Sequence, residues 1–122
     1  EQIILALGKA YFASGDFQNA LSCFLKISDK TFDDIDINYH IAMTYGRLNK
    51  PGESHYYFGL YFRKEKKFDR AIFHFTKALE LYPEGSPGSQ TIAALIKELN
   101  LEKNKKPDAK PEPPPNKSKK PL

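Results

Sequence analysis

Three histidines, one cysteine and a short acidic run are the residues of this 122-residue chain best equipped for chemistry. His40, His55 and His74 each fall in a stretch of helical periodicity. A metal site on a single helix needs two imidazoles one turn apart, and no two of these stand at i, i+4. Each is therefore expected to be a satisfied or exposed helix residue. Cys23 is the only cysteine, which excludes an internal disulfide. No charged neighbour in sequence would hold its thiol as a thiolate, so it reads as a small apolar helix residue. Asp33, Asp34 and Asp36 suit the positive end of a helix dipole better than a calcium loop. The chain has no HExxH, no glycine-rich phosphate loop and no nucleophile elbow. The expectation is a segment that is not an enzyme, with no catalytic residue, no cofactor and no metal.

Charge and length narrow the classes further. The formal charge is +4. Residues 103–122 hold seven lysines and two acids, and residues 1–102 hold 12 basic and 13 acidic residues. The basic excess thus belongs to the last stretch, and the rest has no bias toward nucleic acid. The lysines of that stretch also lack interleaved aromatics, which argues further against nucleic-acid binding. No apolar run approaches the roughly 18 residues of a membrane span. The chain starts at Glu1 without a methionine, so a fragment of a longer protein is expected.

The elements that would carry any site are helices. Phe68 to Pro83 places Phe68, Ala71, Phe75 and Ala78 on one face and closes on a proline. Alanines let helix backbones approach, and phenylalanines fill the gaps between them. Phe17, Ala20 and Phe24 repeat that spacing. Six helices are expected, at about 1–14, 17–28, 34–48, 53–66, 68–81 and 89–101. Gly15 and Asp16 read as C-cap and N-cap of the first junction, and 49–52 and 84–89 as turns. The first helix shows Ile4, Leu7, Gly8 and Tyr11 as its packing stripe. In the last, Ile92, Leu95, Ile96 and Leu99 form a narrow stripe with a polar back, as a capping helix requires. Residues 103–122 contain six prolines and no aromatic or β-branched residue, the composition of a disordered tail. The division is a helical domain over 1–102 and a tail over 103–122.

The run Ile4-x2-Leu7-Gly8-x2-Tyr11, followed by Ala20-x3-Phe24, resembles the tetratricopeptide pattern, with isoleucine in place of the usual tryptophan. The resemblance implies an all-α, antiparallel, right-handed helical solenoid that binds a protein or peptide. In such an array the first helix of each pair lines a concave surface. Here that face would carry Leu5, Lys9 and Phe12, and one period later Tyr39, Met43 and Arg47. An aromatic and methionine groove with a few cations suits an extended or helical peptide. Members that grip a terminal carboxylate use a lysine and an asparagine where this chain has Leu5 and Lys9, so that mode is not expected.

The repeat slips. Ile41-Ala42-x2-Tyr45 lies one 34-residue period after Leu7-Gly8-x2-Tyr11, but Phe17 and Phe68 stand 51 residues apart, one and a half periods. The fourth helix fits two registers: Ser54 and Phe58 overlay Ala20 and Phe24, while Phe58-Gly59-x2-Phe62 overlays Leu7-Gly8-x2-Tyr11. It should lie antiparallel to both the third and fifth helices. Phe58 should be buried between them, and Gly59 should allow close approach to Ala71. Tyr56, Tyr57 and Tyr61 are left over, either on a groove wall or half-buried. The run Tyr39 to Leu79 is similar to the C-terminal repeat region of bacterial HExxH-type zinc metalloproteases. That likeness implies a catalytic domain elsewhere in the parent and a periplasmic or membrane-associated setting; without it the setting would be cytoplasmic.

Overall fold

The computed structural model describes residues 2–28 and 36–105. Six helices follow one another: α1 (Gln2–Ala13), α2 (Phe17–Ser28), α3 (Ile37–Arg47), α4 (Pro51–Lys64), α5 (Phe68–Leu81) and α6 (Pro87–Lys105). Each packs on its neighbours in chain order. The result is the expected all-α antiparallel array. No helix among the described residues is long and apolar enough to cross a membrane.

Three junctions are built alike. Gly15, Asn49 and Lys66 all have positive φ, at 86°, 64° and 62°. The next N–H in each turn reaches back to the carbonyl of Tyr11, Tyr45 or Phe62, each at 2.9 Å. The positive-φ residue itself donates to Phe12, Gly46 or Arg63. This is the Schellman arrangement, which satisfies carbonyls that a helix end would leave orphaned. Only the first turn has the glycine that left-handed backbone favours. At that junction Asp16 caps α2 as expected, accepting from the Asn19 N–H at 3.3 Å. Lys50 and Lys67 hold the equivalent positions without a side-chain cap.

Several boundaries differ from expectation. Residues 49–52 are not all turn, because Pro51 opens α4, where its fixed φ suits the first helical position and its missing N–H is not needed. Likewise Pro87 opens α6, with the Ser86 hydroxyl accepting from the Ser89 N–H at 3.2 Å. At its other end α6 runs through Lys105, so residues 103–105 are helical and not tail, and Lys103 pairs with Asp69 of α5. The remainder of the expected tail, 106–122, and the start expected for α3 at Asp34 lie outside the described residues.

Two cores fill the array. Ala20, Phe24, Ile27 and Ile41 lie in one, and Ala71, Phe75, Ala78, Ile92 and Leu99 in the other. Phe24 and Phe75 are almost wholly buried, a burial worth roughly 2–3 kcal/mol apiece. Both rings lie where a helix backbone carries a glycine. A Cβ at Gly8 would meet Phe24 at 2.6 Å, and one at Gly59 would meet Phe75 at 2.5 Å. Gly59 accommodates the Phe75 ring, which stands one turn after Ala71, the neighbour expected. Leu7 also departs from its expected stripe: it is 46% exposed, on a side of α1 that α2 does not cover.

Helix α4 uses both of its registers. Toward α3, the buried Ser54 hydroxyl donates to the Ala42 carbonyl at 2.8 Å, while Tyr57 stacks on Tyr45 and Tyr61 meets Tyr39. Toward α5, Gly52 meets Leu81 and Tyr82, and Gly59 meets Phe75. Gly46 meets Ser54 while Tyr39 meets Tyr61, and Gly52 meets Tyr82 while Gly59 meets Phe75, so α4 runs antiparallel to both neighbours. Phe58 does bridge α3 and α5, through Tyr39 and His74, but it is half-buried and not enclosed. Its partners there are the rings of Tyr39 and His74, whereas Phe24 and Phe75 lie against helix backbone at Gly8 and Gly59.

Candidate functional site

The side of α1 and α3 expected to form a groove contains an opening of about 220 Å³. Lys9 and Phe12 of α1, Phe24 of α2, and Tyr39, His40 and Met43 of α3 line it. Four of the six expected groove residues thus meet at one place. They do so because 9 and 12, and 39 and 43, lie about one turn apart on their helices. Leu5 is placed differently: it is half-buried and packs against the first core. Arg47 sits over two rings, 5.3 Å from the centre of Phe12 and 5.4 Å from that of Phe17. Those rings meet edge to face at 5.0 Å. A guanidinium held on aromatic faces stiffens that end of the wall.

Phe24 and His40 were not among the expected lining residues. Phe24 is expected to serve packing alone, yet it also lines the opening. His40 stacks on it, with centroids 5.2 Å apart. Burial pushes the His40 pKa down, the Lys9 ammonium pushes it further down, and Asp36 opposes both. At neutral pH the floor is therefore uncharged, with Lys9 as the cation at its rim. Such a site can take an apolar side chain and offer a charge beside it. A second opening, about 260 Å³, lies among Arg63, Lys66, Phe68, Glu98, Leu99 and Glu102, where charges of both signs are mixed.

From the groove a path of rings leads across the array. Tyr39 contacts Phe58 at 5.8 Å, and Phe58 contacts His74 at 5.2 Å. There His74 Nδ1 lies 3.0 Å from His55 Nδ1. Sequence spacing along one helix could not show this meeting. It needs the register of α4 against α5, which the Gly59–Phe75 crossing sets. Among the described residues no three or more of His, Cys, Asp and Glu group as a metal site.

Two segments of the chain match models of the tetratricopeptide repeat, residues 1–28 and residues 52–84. The first covers α1 and α2, and the second covers α4 and α5, so each match falls on one of the two pairs with a glycine-over-phenylalanine crossing. No curated protein matches the chain.

Proposed function

The chain belongs to the tetratricopeptide repeat family through those two segments, and from that premise we propose that it is a binding module whose groove holds a peptide or protein partner. The observation that carries the reading is the apolar opening between α1 and α3, with Lys9 at its rim and Tyr39 and Met43 on its wall. An apolar floor supplies affinity, and a few polar groups fix orientation. Leu5 packs against the core that includes Phe24, and Arg47 lies over Phe12.

The test is a peptide-array screen with the chain, followed by the groove variants Met43→Glu and Lys9→Glu. Both residues are at least partly solvent-accessible, so melting temperature should hold. A bound peptide should lose at least about tenfold in affinity, since buried charge at an apolar contact is expensive. Peptides that bind both variants as well as the parent would place the contact elsewhere.

We also propose a second, narrower reading, which rests on the resemblance of the run Tyr39 to Leu79 alone: substrate docking or regulation for a bacterial zinc metallopeptidase. An HExxH motif encoded in the same gene would support it, and a parent gene without one would remove it.

A further inference from the structure

The α4–α5 seam brings two imidazoles into direct contact, and the groove makes no use of that contact. His55 Nδ1 and His74 Nδ1 are 3.0 Å apart, with ring centroids at 5.2 Å. Two ring nitrogens at that distance need a hydrogen between them, so one Nδ1 donates and the other accepts. If both imidazoles were protonated, two N–H donors and two positive charges would face each other. We propose that His55 and His74 form a proton-operated latch between α4 and α5, closed while at least one imidazole is neutral and opened when acid protonates both.

The surroundings set where the latch acts. His74 stacks on Phe62 at 5.4 Å and 10°, and also contacts Phe58 and Phe73. Burial among these rings, with His55 adding to it, lowers the His74 pKa to about 4. The His55 pKa is lowered as well, by burial first and then by Lys77, while Glu80 opposes. Lys77 and Glu80 both come from α5. Helix α3 approaches through Tyr39, whose ring touches Phe58. Helix α6, also packed on α5, brings Lys103 to Asp69 in the first turn of α5. A histidine whose pKa is lowered on folding binds fewer protons in the folded chain than in the unfolded one. Stability therefore falls as pH drops from about 6.5 toward about 4.

Opening the latch frees Phe58 and Phe62, and through Phe58 it frees Tyr39 at the groove. That last consequence rests on the groove reading, but the latch does not. The test accordingly uses no partner. Imidazole nitrogens of the full chain are followed by NMR from neutral pH down to about 3, past the lower step. His55 and His74 should titrate in coupled steps, both below the ordinary range, with Phe58 and Tyr39 ring signals moving with the lower step. Independent titration of both near 6.5 would overturn the latch. The double variant His55→Gln, His74→Gln keeps groups that hydrogen-bond at any pH. It should lose at least about half of the acid-induced fall in urea midpoint, the remainder belonging to groups such as His40. A fall as steep as the parent's would also overturn the proposal.

Discussion

In α1–α2, the missing Cβ of Gly8 lets the Phe24 ring lie against a helix backbone; in α4–α5, Gly59 does the same for Phe75. The two pairs then differ in what surrounds them. Among the described residues helix α1 packs mainly on α2, meets α3 at Phe12 and Arg47, and shows Ile3 at 81% and Leu7 at 46% exposure. Helices α4 and α5 are flanked by α3 and α6, so their crossing is closed from both sides. The turns differ too: Gly15 and Asp16 join the first pair, Lys66 and Lys67 the second. The crossing is thus the part of the repeat that recurs. Flanks and turn residues vary around it, because backbone hydrogen bonds close all three Schellman turns regardless of side chain.

The largest effect that could break this comparison is truncation of the crossing ring. Phe75→Ala should destabilise by about 3–5 kcal/mol in urea unfolding, and Phe24→Ala by somewhat less. The ranking follows from the flanks: a cavity beside α1 can collapse from its open side, whereas one between α3 and α6 cannot. Phe58→Ala, at a half-buried ring, should cost about half as much as Phe75→Ala. If Phe24 proves more costly than Phe75, enclosure is not what separates the two pairs.

Adding a methyl group sharpens the same point at a smaller scale. Gly59→Ala should cost about 1–3 kcal/mol, because the new Cβ would fall 2.5 Å from the Phe75 ring. At Gly8 the clash is 2.6 Å and the ring can yield more easily, so Gly8→Ala should cost less. Thermal melts of the two variants side by side decide this. Equal losses would show that the first pair is as rigid as the second.

What could be read from the residues follows the same division. The recurrence of Phe17, Ala20 and Phe24 as Phe68, Ala71 and Phe75 gave both crossings and, with the 51-residue offset, the double role of α4. Such features depend only on which residues share a helix face. Depth of burial was less legible. Phe58 and Phe75 look alike in sequence, but one faces rings and the other faces backbone, a difference that depends on three helices at once. Proline was misread at Pro51 and Pro87 because the same residue that favours a turn also favours a helix start. In the groove, Lys9, Phe12, Tyr39 and Met43 follow from the tetratricopeptide resemblance, which says that α1 and α3 line it, together with the spacing of residues on each helix. The meeting of His55 with His74 was not, since it depends on the register between two helices and on no spacing within either.

The smallest expected effect tests whether the turn residue matters at all. Lys66 holds a left-handed backbone at φ 62° with a side chain present. That conformation costs roughly 1–2 kcal/mol for a residue with a Cβ. A glycine would remove the strain but would give the unfolded chain more freedom, returning about 0.4–1 kcal/mol. Lys66→Gly should therefore stabilise the chain by up to about 1 kcal/mol. Asn49→Gly should gain less, because asparagine tolerates this region better. Gly15→Ala should move the other way, imposing on the first pair the strain that the second already bears. The backbone hydrogen bonds from Lys67 to Phe62 and from Asp16 to Tyr11 are both 2.9 Å, so neither exchange alters what closes the turn. Were Lys66→Gly to destabilise instead, the lysine side chain would be holding the α4–α5 junction, and the two turns would not be equivalent.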